Sequence, residues 1–143
     1  MKKKNTLLLF LCLFSLWAVA QEKKPVKIAC VGNSITYGSG IKNQFQNSYP
    51  GLLSQLLGEG YDVRNFGISA RVLLNKGDHP YMHEQKFRDL LAFQPDIVTI
   101  KLGTNDSKPW NWRYGKDFKK DLTEMLDILQ ELPSKPKIYL CLP

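Results

Sequence analysis

Histidine and cysteine are scarce in this chain of 143 residues, which has two of the first and three of the second. No Cys/His spacing suited to a metal is present, so no structural zinc and no metal is expected. The Gly-rich stretch 32–40 lacks the Gly-Lys-Ser/Thr ending of a phosphate-binding loop, and no cofactor is expected either. Lys and Arg are not gathered into a stripe; the nearest approach is Trp110, Trp112 and Tyr114 interleaved with Lys108 and Arg113. That pattern suits a loop lining a site, and nucleic acid is not expected as a partner. Internal repeats, low-complexity tracts and linkers are absent. A 43% hydrophobic and 23% charged composition suits one soluble globular domain.

Long apolar runs are confined to the start. Lys2, Lys3 and Lys4 precede an apolar core at 7–17, too short to span a bilayer comfortably, and Ala18-Val19-Ala20 is a small-x-small cleavage site. Residues 1–20 therefore read as a secretory signal peptide, with an uncleaved anchor as the alternative. Cys12 has no small residues before it and does not mark a lipoprotein. The expected product is exported, periplasmic or secreted, with no stable membrane anchor after cleavage near Ala20. Loss of the three leader lysines takes the formal charge from +7 to +4. Cys30 and Cys141 remain, each in an apolar run, and both read as buried thiols.

Residues 21–143 alternate between strand and helix patterns. Strands are predicted at 26–31, 61–66, 96–102 and 137–142. The stretch 32–47, rich in Gly, Asn, Gln and Ser, reads as a loop. Ser48 and Pro50 open a helix whose apolar face is Leu52, Leu53, Leu56 and Leu57, stopped by Gly58 and Gly60. Residues 71–79 are irregular, with a turn at 75–78. Pro80 opens a second helix that buries Met82, Phe87, Leu90 and Leu91, and Pro95 ends it. A Pro/Trp-rich loop precedes a third helix at about 115–132, where Phe118, Leu122, Met125, Leu126 and Leu129 fall at helical spacing. Strand–helix alternation of this kind predicts a parallel sheet with helices on both faces.

Three of these strands run into polar turns: Gly32-Asn33-Ser34, then Gly67, then Gly103-Thr104-Asn105-Asp106. In a doubly wound sheet all three open on the carboxyl edge, where ligands bind. Taken alone, Gly32-Asn33-Ser34 is equally a plain turn with Ser34 as a helix cap. Taken together, the three turns hold what acyl transfer needs. A hydroxyl must attack a carbonyl carbon, and the oxygen that becomes negative needs donors already in place. Ser34 offers the hydroxyl and one N–H, Gly67 a second N–H, and Asn105 a neutral side-chain NH2.

The Gly32-Asn33-Ser34-Ile35-Thr36 block, the isolated Gly67 in Asn-Phe-Gly-Ile-Ser-Ala, and Gly103-Thr104-Asn105-Asp106 resemble, in order and spacing, the first three blocks of the SGNH hydrolases, also called GDSL esterases. The resemblance runs from about Lys27 to the end. It implies a flavodoxin-like three-layer α/β/α sandwich, Ser34 as nucleophile, and an oxyanion hole made by Ser34, Gly67 and Asn105. Exported members with this opening block look like esterases acting on acylated carbohydrates, sialate O-acetylesterases among them, so a small-molecule or glycan ester is the implied substrate. Asn33 stands where the family has aspartate, and can make similar turn bonds. The family's last block, Asp-x-x-His, follows a fifth strand and is not found up to Pro143. His79 and His83 lie outside any Asp-x-x-His, and capping or surface roles are expected of both. The sequence thus reads as the incomplete N-terminal part of a C-terminally truncated hydrolase domain, with little activity by itself. Loss of the next strand would leave the strand of Cys141 open on one side. Two rivals remain: a non-catalytic carbohydrate-binding domain using Trp110, Trp112 and Tyr114 as sugar platforms, and an anion-binding loop at 32–40.

Overall fold

The computed structural model describes residues 24–142. The expected leader and its cleavage site lie outside them. Strand β1 (Val26–Gly32) is the axis of the fold, a β-branched run that pairs in parallel with β2 (Tyr61–Gly67) on one side and with β3 (Ile97–Lys101) on the other. Strand β4 (Lys137–Leu140) adds to β3, giving the order β2-β1-β3-β4 with every pair parallel. Reversal of strand order at β1/β3 is the switch point of a doubly wound sheet.

Between the strands run short helix α1 (Ser34–Tyr37), short helix α2 (Gln44–Asn47), α3 (Tyr49–Leu57), α4 (Gln85–Phe93), the four-residue α5 (Pro109–Trp112) and α6 (Phe118–Gln130). Alternate strand residues point to opposite faces. Ala29, Val31, Phe66, Val98 and Ile100 form one face, buried with Leu90 and Phe93 of α4 and Met125 and Leu129 of α6. On the other face Tyr49 of α3 sets its hydroxyl 3.3 Å from Thr99 Oγ1, and burial pushes that phenol up to about 12. The result is the three-layer α/β/α arrangement expected from the sequence.

Several local expectations change. The stretch 32–47 is not one loop, since α1 and α2 lie within it. Asn33, not Ser34, caps α1, its Oδ1 accepting the Ile35 N–H at 3.0 Å. Four leucines at i, i+1, i+4 and i+5 span too wide an arc for one contact. In α3, Pro50 is buried while Leu53 and Leu57 are half-buried, and Leu52 and Leu56 face outward, Leu56 84% exposed. The second helix is split into a 3-10 turn at Tyr81–His83 and α4, and the third begins with a 3-10 turn at Gly115–Asp117. Strands β3 and β4 are shorter than expected. Cys30 is buried, and burial raises its thiol. Cys141, one residue past β4, is exposed and not the expected buried thiol, in keeping with the expectation that its strand is open on one side.

Tyr81 is fully buried, and its hydroxyl donates to the Phe66 carbonyl at 2.6 Å, tying the irregular stretch to the end of β2. Tyr81→Phe should cost about 1–2 kcal/mol in denaturant unfolding, the value of one buried hydrogen bond. No change in the unfolding midpoint would show that this bond holds nothing.

Candidate active site

The first corner forms where β1 runs out. A Cβ on Gly32 would fall onto the Thr36 side chain and lie 2.8 Å from the Lys101 carbonyl, so only glycine lets α1 fold back this tightly. Ser34 follows as the first residue of α1. It is half-buried, and its carbonyl accepts the Gly38 and Ser39 N–H groups at 2.9 and 3.0 Å.

The second corner is the end of β2, level with the first. Gly32 and Gly67 are register partners, and the Ile68 N–H donates to the Gly32 carbonyl at 3.0 Å. A Cβ on Gly67 would fall onto the Thr36 and Tyr37 backbone, so α1 rests directly on this glycine. Asn65 clamps the contact. Its Oδ1 accepts the Gly67 N–H at 2.8 Å, and its Nδ2 donates to the carbonyls of Thr36 at 2.9 Å and Tyr37 at 3.3 Å. The Ser39 and Ser69 hydroxyls meet at 2.6 Å across the two loops.

The third corner follows β3, whose Lys101 is the other register partner of Gly32. Asn105 is 8% exposed, and its Nδ2 donates to the Arg71 carbonyl at 3.0 Å, which occupies one of the two amide hydrogens. Asp106 is fully buried, and its Oδ1 accepts the N–H groups of both Leu73 and Leu74 at 2.8 Å. Asn111 of α5 braces the turn from outside, its Nδ2 donating to the Asn105 carbonyl at 2.9 Å. Thus the turns carrying Ser34, Gly67 and Asn105 sit at the ends of three adjacent parallel strands, joined by bonds between their loops.

Sequence reasoning missed the residues that hold these corners: Asn65, Asp106 and Asn111. Asn65 and Asp106 lie two residues before Gly67 and one after Asn105, so their nearness was visible, but their partners are 28 to 33 positions away. His79 and His83 are both exposed, His79 Nε2 lying 3.3 Å from Asp78 Oδ1. No hydrogen bond joins either imidazole to Ser34 among the described residues. Nor is there a cluster of three or more His, Cys, Asp or Glu able to hold a metal among those residues. The Pro/Trp-rich segment contains α5 rather than being loop throughout. Trp110 and Trp112 are more than half exposed, with the Trp112 ring tilted at 55° against Phe118, centroids 6.0 Å apart.

Residues 30–143 match the family described as GDSL-like lipase/acylhydrolase. An acetylxylan esterase of Xylanibacter ruminicola is 48% identical over 141 residues, covering 87% of this chain and 29% of that protein. The chain thus spans less than a third of that relative's length. Among solved structures, an inhibitor-bound aryl esterase of M. smegmatis superposes with a TM-score of 0.67 at 24% identity, over 82% of this chain and 64% of that one. Est24, a carbohydrate acetylesterase from Sinorhizobium meliloti, gives 0.59 at 21% identity, over 82% and 61%. At such identities the two structures speak for the fold.

Proposed function

The chain belongs to the GDSL-like lipase/acylhydrolase family, and from that membership we propose that it is part of a serine esterase removing acetyl groups from a carbohydrate. Ser34 Oγ attacks the acetyl carbonyl carbon, and the carbonyl oxygen takes the negative charge. The Ser34 N–H and the second hydrogen of Asn105 Nδ2 face that charge. The Gly67 N–H joins them by sharing its hydrogen with, or releasing, Asn65 Oδ1. Collapse of the intermediate expels the sugar hydroxyl and leaves an acetyl-serine, which water then hydrolyses.

The observation that supports this reading is the register of β1 with its two neighbours, Gly32 opposite both Gly67 and Lys101, which brings the turns after the three strands to one sheet edge. The similarity to an acetylxylan esterase supports acetylated xylan as the first substrate to try. The Ser34 Oγ proton passes to a general base, proposed to be the histidine of an Asp-x-x-His encoded beyond Pro143, which hands it to the leaving sugar oxygen and then takes a proton from the attacking water. Residues 1–20 are proposed to act as an export leader, placing the enzyme where polysaccharide is met.

The test uses the protein expressed with the reading frame beyond codon 143. Acetate release from acetylated xylo-oligosaccharides, with a fluorophosphonate adduct mapped to Ser34 by mass spectrometry, is the expected result. Tight binding of the same glycans with no acetate released would overturn it in favour of a binding domain, for which exposed Trp110 and Trp112 would be the platforms.

A further inference from the structure

A groove of about 910 Å³ runs along the open edge of β2, between α2 and α3 on one side and α4 on the other. Three of its lining residues touch Gly67: Tyr37 packs on it, Asn65 Oδ1 holds its N–H, and Lys86 Nζ donates to its carbonyl at 3.3 Å. The groove therefore runs beside the second corner of the candidate site, with Tyr37, Asn65 and Lys86 shared between the two. Its size is that of a ligand site.

The lining is chemically particular. Phe45 stands on the wall 92% exposed, an apolar face with nothing packed on it. Gln44 and Gln55 are held from behind by their own amides, Gln44 Nε2 donating to the Tyr37 carbonyl and Gln55 Nε2 to the Gln46 carbonyl at 2.8 Å. Such amides are fixed in place with their carbonyl oxygens left to accept from a ligand. A flat aromatic beside fixed amides suits a sugar, which offers C–H faces to one and hydroxyls to the other.

Charge narrows the choice. Arg64 has its charge offset by a two-point pairing with Asp62, at 2.8 and 3.1 Å. Lys86 is half-buried, and none of the ion pairs among the described residues includes it. Burial holds its ammonium below the usual lysine range, only partly offset by Asp89. A desolvated cation with one carbonyl partner has donors to spare for an anion.

We propose that this groove binds the glycan that carries the ester, and that Lys86 Nζ takes a carboxylate on that glycan, as a uronic acid would supply. This rests on the esterase reading for the ester alone, so glycan binding is measured without one. Isothermal titration compares xylotetraose with xylotetraose bearing one glucuronic acid, both unacetylated. The acidic probe should bind about tenfold more tightly at low salt, the worth of a charge-assisted hydrogen bond, with the difference shrinking at high salt. Lys86→Met should abolish that preference, weakening the acidic probe more than the neutral one. Phe45→Ala, at an exposed position where folding is not at risk, should weaken both probes about fivefold. Equal affinity for the two probes, equal loss of both in Lys86→Met, or no binding of either overturns the proposal. Acetate release that depends on Ser34 but comes without probe binding sinks the groove alone. Probe binding without acetate release sinks the esterase reading alone.

Discussion

Ser34→Ala should lower kcat for acetate release at least about 10⁴-fold while the melting temperature stays within a degree or two of the parent. The two halves of that expectation come from different atoms. Alanine deletes only Oγ, the atom that would become bonded to the acyl carbon, so the two-step route is lost and only binding and charge stabilisation remain. A factor of that size is about 5 kcal/mol of barrier. Stability should hold because Ser34 is only half-buried and its bonds to Gly38 and Ser39 run through its carbonyl, which alanine keeps. Asn33, which caps α1, is untouched. Activity that survives the substitution would remove Ser34 as nucleophile. Activity lost together with a large drop in melting temperature would make Ser34 a structural residue.

The strands were legible because each is a short, largely apolar or alternating run, and three of the four are cut off by glycine or a polar turn, a signal that depends on neighbours in sequence. Their parallel order followed from the alternation with helices. The edge helices were less legible, and the cause is physical. Leu52, Leu53, Leu56 and Leu57 announce a helix, but nothing local says which two turn inward, and Pro50 takes the buried position instead. In the site, Ser34, Gly67 and Asn105 were visible because each stands in a turn at a strand end. What holds them was not, because Asn65 Nδ2, Asp106 and Asn111 act on backbone groups brought near only by folding. Cys141 shows the same limit from the other side. Its apolar neighbours suggest burial, yet whether an edge strand is covered is decided by whatever packs beside it.

Asp106→Ala should be the most damaging substitution to the fold, costing about 3 kcal/mol and lowering the melting temperature by about 10 °C. The carboxylate is fully buried, and a single oxygen, Oδ1, accepts two backbone N–H groups, those of Leu73 and Leu74. Both leucines are buried in a stretch with no helix or sheet ladder to use those hydrogens, so alanine leaves two donors dry and unpaired. Asp106→Asn should cost much less, since its carbonyl oxygen can keep both bonds and its NH2 replaces Oδ2, which is buried without a partner. The damage should also reach the chemistry. Leu73 and Leu74 follow Arg71, whose carbonyl holds Asn105 Nδ2. If Asn105 has the oxyanion-hole role proposed above, loosening that stretch frees its amide, and loss of one such donor lowers kcat by about 10²–10³-fold. In the protein carried beyond codon 143, Asp106→Ala assayed well below its melting temperature should therefore show a reduced kcat, with Asp106→Asn restoring most of it. An alanine variant as stable as the parent would mean that Leu73 and Leu74 find other acceptors, and that the third corner is held by Asn105 and Asn111 alone.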